Sequence, residues 1–146
     1  MVIDKDFKEF IKLLNDHDVH YLLVGGYAVA FHGHPRYTTD MDIWIEREIA
    51  NAEKLLNVLK VFGFGSLKIT IEDFLNPNSV VQLGNPPNRI DLLSDLSGVD
   101  FDTCKKSQVN ASIDGIKVSV IDLESLKRNK RATGRFQDLA DVENLE

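Results

Sequence analysis

Phe7, Phe10, Ile11 and Leu14 fall three and four residues apart, the spacing of one helix face. They predict an amphipathic helix from Asp4 to about Asn15, with Asp4 as its cap. The short apolar run HYLLV is stopped by Gly25-Gly26, the pattern of a buried strand, and YAVAF resumes as a short helix. Gly33 then stands where a helix ends and Pro35 forbids continuation. In DMDIWIE, polar and apolar residues alternate, which argues for a second strand. Ile49, Ala52, Leu56, Leu59 and Phe62 outline the next helix, closed by the glycines of GFG. The stretch that follows is less periodic. SVVQL and RIDLL read as strands on either side of an NPPN loop, and ASIDGIKVSVI reads as a hairpin turning at Asp114-Gly115. The tail from Asp122 is helical and interrupted near Gly134. Strands and helices in this mixed order, with one local hairpin, predict an α+β fold: a single domain over residues 1–146, with a mixed, partly antiparallel sheet flanked by helices.

Composition narrows this picture. A chain of 146 residues, 43% of them apolar, is long enough for one sizeable core. The lone Cys104 excludes an internal disulfide framework and fits a reducing cytoplasm. No apolar run approaches the roughly 20 residues that span a bilayer, and MVIDKDFKEF lacks a signal-peptide pattern, so a membrane role is not expected. A net charge of −6 argues against non-specific coating of nucleic acid, while leaving room for a local basic groove.

The alternating strand carries the chemistry. Asp40 and Asp42 share one face, roughly 6.6 Å apart at about 3.3 Å per residue, and Arg36 and Thr38 continue the same parity if the extended chain reaches back that far. Asp91 is a third acid, set within the apolar RIDLL, where a carboxylate is costly unless it meets positive charge; its plain reading is a pair with Arg89 or another base. Three converging carboxylates raise one another's pKa, and a divalent cation reverses that. An all-oxygen donor set favours Mg²⁺, or Mn²⁺, over Zn²⁺. Gly25-Gly26, between a strand and a helix, lets phosphate approach the backbone.

Together these residues resemble the nucleotidyltransferase superfamily typified by DNA polymerase beta: a glycine pair opening a helix, an Asp-x-Asp strand, and a third acid on a later strand. VGGYAVAFHGHPRYTTDMDIWI followed by RIDLL has that pattern. The chain is most similar to small bacterial stand-alone members, the minimal nucleotidyltransferases and the AbiE-type toxin nucleotidyltransferases. SLKRNKRATGRFQDLADVENL is similar to the Lys/Arg-rich helix and Arg-x-x-Asp-x-x-Asp segment that closes such toxins. The resemblance implies an enzyme that moves a nucleoside monophosphate from an NTP to an acceptor hydroxyl with two Mg²⁺ ions. It implies that Gly25 and Gly26 hold the triphosphate, that Asp40 and Asp42 ligate both metals, and that Asp91 ligates one and orients or deprotonates the acceptor. RNA 3′ ends, tRNA above all, come first as acceptor, then a protein hydroxyl, then a small molecule. An antitoxin-like partner or a homo-oligomer is the implied assembly. The large helical domain of many relatives is missing, so a catalytically weak NTP-binding or regulatory module is the alternative.

Other polar residues have plainer readings beside functional ones. Lys127, Arg131 and Arg135, four apart, line one helix face if Gly134 does not break it, and Lys127 and Arg131 are the candidates for nucleotide contact. Arg135 and Asp138 are spaced to pair with each other. Arg36 and Thr38 are near enough to the acids to touch phosphate, though Arg36 also suits a structural partner for Asp40. His32 and His34 have no thiol or third ligand nearby and read as loop residues rather than a zinc site. Trp44 shares the acids' parity, and its size favours the core over stacking on a base.

Overall fold

The structure, a computed structural model, describes residues 4–35, 38–85 and 87–146. Helix α1 (Lys5–Asp16) begins at an Asp4 carboxylate that accepts from the Asp6 N–H, and it buries Phe7, Phe10, Ile11 and Leu14. Strand β1 (Tyr21–Val24) leads directly into α2 (Gly25–Phe31). Then come β2 (Asp40–Ile45), α3 (Ile49–Phe62), α4 (Ile71–Leu75), β3 (Val80–Leu83), β4 (Arg89–Leu93) and α5 (Phe101–Lys106). The chain closes with β5 (Val109–Ile113), β6 (Ile116–Val120), α6 (Leu123–Thr133) and α7 (Phe136–Leu145).

The strands form one six-stranded sheet in the order β3-β4-β2-β1-β6-β5. It is mixed: β1 runs antiparallel to β2, β4 runs parallel to β2, and β6 runs parallel to β1. The α+β architecture with a mixed sheet is therefore as the sequence pattern predicts. The β5–β6 hairpin turns on Asp114 and Gly115, at φ of 51° and 82°, the pair of positive values that a two-residue turn of this kind needs. Gly134 ends α6 in the left-handed conformation, so the tail is two helices rather than one.

β1 is buried at all four positions because it lies in the middle of the sheet with helices against it. α1 packs on α3 and β6, α2 lies on β1 and β2, and α6 meets both α2 and α7. Buried Asn51 ties α3 to the strand ends: its Oδ1 accepts from the His20 N–H at 2.7 Å, and its Nδ2 donates to the carbonyls of His20 and Glu46. Within α3 the buried face is Ala52, Leu55, Val58 and Leu59, whereas Ile49, assigned to that face from spacing, is 61% exposed. Two helices lie where the pattern was silent. Short α4 is set by a Thr70–Asp73 capping box and buries only Phe74, and α5 starts at an Asp100 carboxylate bonded to the Thr103 N–H. Among the described residues, no helix is long and apolar enough to cross a membrane.

Candidate active site

Parallel pairing of β2 with β4 sets Asp42 directly beside Asp91, and Asp40 beside Arg89. Registered partners in a ladder point to the same side of the sheet, so these four side chains form a square on one face. The opposite face of β2 carries Met41, Ile43 and Ile45, all buried in the core. The alternation in DMDIWI thus separates a polar face from a core face within six residues.

Arg89 sits in the square as its cation. Its NH2 group donates to Asp40 Oδ2 at 2.7 Å and to Asp91 Oδ2 at 3.1 Å, and its Nε donates to Asp91 Oδ1 at 2.8 Å. Thr39 Oγ1 donates to the other oxygen of Asp40 at 3.1 Å. The carboxyl of Asp42 is pushed up to about 7, by burial first and then by the negative charges of Asp91 and Asp40; Lys130 and Arg89 offset only part of this.

A cleft of about 330 Å³ opens over Asp40 and Asp42, lined also by Gly26, Thr38, Thr39, Lys130, Arg135, Gln137 and Asp138, while Asp91 is not in its lining. Gly25 has φ of +66°, and a Cβ there would collide with the Asp42 carboxylate, so the first glycine of the pair makes room for the acid. Gly26 forms part of the cleft wall itself. Thr38 also faces the cleft and donates to the Asp40 carbonyl at 3.2 Å. Arg36 lies outside the described residues.

The basic tail contributes different residues from those singled out by spacing. Lys127 stands 3.9 Å from Glu124, and Arg131 pairs with Glu146 at 2.6 Å on the surface; neither lines the cleft. The break at Gly134 instead folds α7 back so that Lys130, Arg135 and Asp138 border it. Lys130 Nζ lies 2.9 Å from Asp138 and 3.4 Å from Asp141, all three side chains nearly inaccessible. Arg135 Nε donates to Asp138 at 2.7 Å, and Gln137 Nε2 donates to Asp141 at 3.0 Å. Burial raises the pKa of Asp138, but bonds from Thr133, Lys130 and Arg135 outweigh it and hold the carboxyl below its usual range. A signal for Lys130 was present in the sequence: it lies four residues after Leu126, on the helix face that enters the core, and a lysine there calls for acids such as Asp138 and Asp141. The pair of Arg89 with Asp91 is as the sequence allows, and its further bond to Asp40 comes from the neighbouring strand.

The remaining candidates are structural. His32 Nε2 is 2.7 Å from the Ile121 carbonyl, and Trp44 is buried edge-on to Phe101 at 5.0 Å. A larger cleft of about 600 Å³ opens at the other end of β1, around Asn15, Tyr21 and Ser119, and Asp40, Asp42 and Asp91 do not line it.

Among the described residues, no group of three or more His, Cys, Asp or Glu side chains is arranged to hold a metal ion. Arg89 takes up oxygens of two of the three acids, Asp40 and Asp91. The donor set is nonetheless all oxygen, and the guanidinium marks a spot where positive charge is held. An all-oxygen set is the kind that hard divalent cations take.

No protein-family model matches the chain, and no curated protein matches it. Solved structures do. A candidate nucleotidyltransferase from Thermotoga maritima superposes with a TM-score of 0.63 at 17% identity, covering 95% of this chain and 87% of that one. An antigenic nucleotidyltransferase-like protein from Paracoccidioides brasiliensis superposes with a TM-score of 0.55 at 17% identity, covering 99% of this chain and 77% of that one. The chain therefore shares the fold of these proteins over nearly its whole length.

Proposed function

We propose that this protein is a metal-dependent nucleotidyltransferase, passing a nucleoside monophosphate from an NTP to an acceptor hydroxyl with release of pyrophosphate. The observation that carries the reading is the square of Asp40, Asp42, Asp91 and Arg89 on one sheet face, beside a glycine-walled cleft, in a fold shared with nucleotidyltransferase-named structures. Asp40, Asp42 and Asp91 would hold Mg²⁺ or Mn²⁺, one ion or two. Such an ion, when bound, neutralises the triphosphate and polarises the acceptor hydroxyl.

The chain's own residues supply the rest. Gly26 leaves backbone free to approach phosphate, and Thr38 offers a hydroxyl at the cleft wall. Arg135, 77% exposed at its side chain, can reach outward to phosphate while Asp138 steadies its Nε. Lys130, held by Asp138 and Asp141, lines the cleft and offsets part of the negative charge that raises Asp42. Asp91 stands in register with Asp42, and by the resemblance it orients the acceptor hydroxyl and takes its proton. In a reaction of this class, positioning and charge neutralisation supply most of the rate.

RNA 3′ ends are the favoured acceptor, and a toxin role with an antitoxin-like partner the favoured setting, both resting on the similarity of the tail to AbiE-type toxins. The test is incubation with each labelled NTP, Mg²⁺, and total cellular RNA and protein. Label in RNA supports the reading in full, label in protein changes the acceptor, and no label with any NTP or acceptor refutes transfer. A second reading, an NTP-binding regulatory module, is favoured by one observation: Arg89 fills the acidic site. That module would bind NTP with Mg²⁺, gaining thermal stability, without releasing pyrophosphate.

A further inference from the structure

We propose that Gln137 reads the base of the bound nucleoside triphosphate and favours the amino bases, adenine and cytosine, over the keto bases, guanine and uracil. The proposal rests on the nucleotidyltransferase reading and adds a choice of substrate to it. Among the described residues that line the cleft, Gln137 carries the one planar side chain with a donor and an acceptor side by side. Lys130 and Arg135 only donate, and the aspartates there, when ionised, only accept. The hydroxyls of Thr38 and Thr39 are spent as donors on the carbonyl and the carboxylate of Asp40.

Asp141 sets which way the amide points. Gln137 Nε2 donates to Asp141 Oδ1 at 3.0 Å, and Asp141 is fully buried beside Lys130. A carboxylate in an ion pair accepts and does not donate, so the amide cannot turn over without setting its oxygen against Asp141. Its nitrogen is thereby held towards the interior. Its oxygen is left without a partner among the described residues, on a side chain that lines the cleft. The exocyclic amino group of adenine or cytosine can donate to that oxygen while the second N–H of Gln137 meets a ring nitrogen. Guanine and uracil carry a keto oxygen at the same place, and it would face Oε1, acceptor against acceptor. Moved to the Nε2 end, that keto oxygen would approach the Asp141 carboxylate instead. A Gln137 that only props Asp141 predicts no difference among the bases.

The experiment is calorimetric titration of the whole protein, in Mg²⁺, with the α,β-methylene analogues of ATP, CTP, GTP and UTP. The ATP and CTP analogues are expected to bind at least about tenfold more tightly than the GTP and UTP analogues. Gln137→Met keeps the length of the side chain and loses both hydrogen-bonding groups; there the four should come within about threefold of one another. Equal affinities in wild type, or any order that does not place both amino bases first, overturn the proposal and leave the nucleotidyltransferase reading standing. A wild-type preference that survives intact in Gln137→Met does the same. Failure of all four analogues to bind overturns that reading and the proposal with it. Gln137→Asn, whose shorter amide cannot reach from Asp141 to the cleft, is the second variant. It too should lose the preference, and a preference kept at wild-type strength there counts against the proposal. Circular dichroism checks the fold of each variant.

Discussion

A methyl group at position 25 would land on the carboxylate of Asp42. Gly25 follows β1 at φ of +66°, and its missing side chain is the space in which that acid sits. Gly25→Ala therefore carries both left-handed backbone strain and a steric conflict with the site. Gly33, at φ of +115° with nothing within 4 Å of where a Cβ would stand, carries the strain alone. We expect Gly33→Ala to cost about 1–2 kcal/mol in urea denaturation, and Gly25→Ala to cost more and abolish transfer. Equal costs, with transfer retained in Gly25→Ala, would contradict the fit between this glycine and the acid.

Asp42 makes the metal-free protein less stable as pH rises. Its carboxyl is pushed from an ordinary 3.8 up to about 7, so the folded chain holds a proton that the unfolded chain has lost. The contribution is complete below pH 3.8 and disappears as pH climbs through about 7. Asp42→Asn, neutral throughout, escapes this loss. In EDTA at pH 8 it should be more stable than wild type by on the order of 1–3 kcal/mol, the gap closing towards pH 4, while transfer with Mg²⁺ is lost. Denaturation midpoints at the two pH values decide it: a gap that does not change with pH rejects the titration argument.

Lys130 is the buried counter-charge for two acids. Replacing it with Met leaves Asp138 and Asp141 facing each other in the interior, and we expect a loss of about 3–5 kcal/mol in urea unfolding. Adding Asp138→Asn and Asp141→Asn should recover part of that loss. A Lys130→Met protein as stable as wild type would show that the triad is solvated and not a structural unit.

The break at Gly134 separates two arginines that sequence spacing puts on one face. Arg131 pairs with Glu146 where both are about half exposed, so Arg131→Ala should change stability by less than about 1 kcal/mol and leave nucleotide affinity intact. Arg135 borders the cleft, and Arg135→Ala should weaken binding of Mg²⁺ with α,β-methylene-ATP by roughly tenfold. Calorimetric titration of both variants compares them directly, and equal effects would remove Arg135 from the nucleotide site.

Much of this arrangement could be read from residue order because local rules set it. The period of two in DMDIWI separates acids from core, Asp114-Gly115 dictates its turn, and Asp4 and Asp122 cap the helices that follow them. What escaped depended on tertiary partners or on weak local signals. Helix α4 buries one residue, Phe74, too few for a periodic stripe, although Thr70 and Asp73 had the spacing of a capping box. Ile49 is at the right spacing for the core face but sits at the first turn of α3, beyond the reach of the packing that covers Ala52 and Leu55. The pairing of Arg89 with Asp91, two residues away, could be expected from the sequence; that Arg89 also reaches Asp40 follows from the pairing of β4 with β2, and that Lys130 is enclosed by Asp138 and Asp141 from the folding back of α7.

The third acid comes 49 positions after the second, yet their spacing is fixed by a single rung of one ladder, Asp42 against Asp91. Among the described residues, the connecting stretch between them supplies no wall to the cleft. Lengthening, shortening or redecorating the surface turns around 64–69 would therefore alter the protein's outline without moving the paired acids.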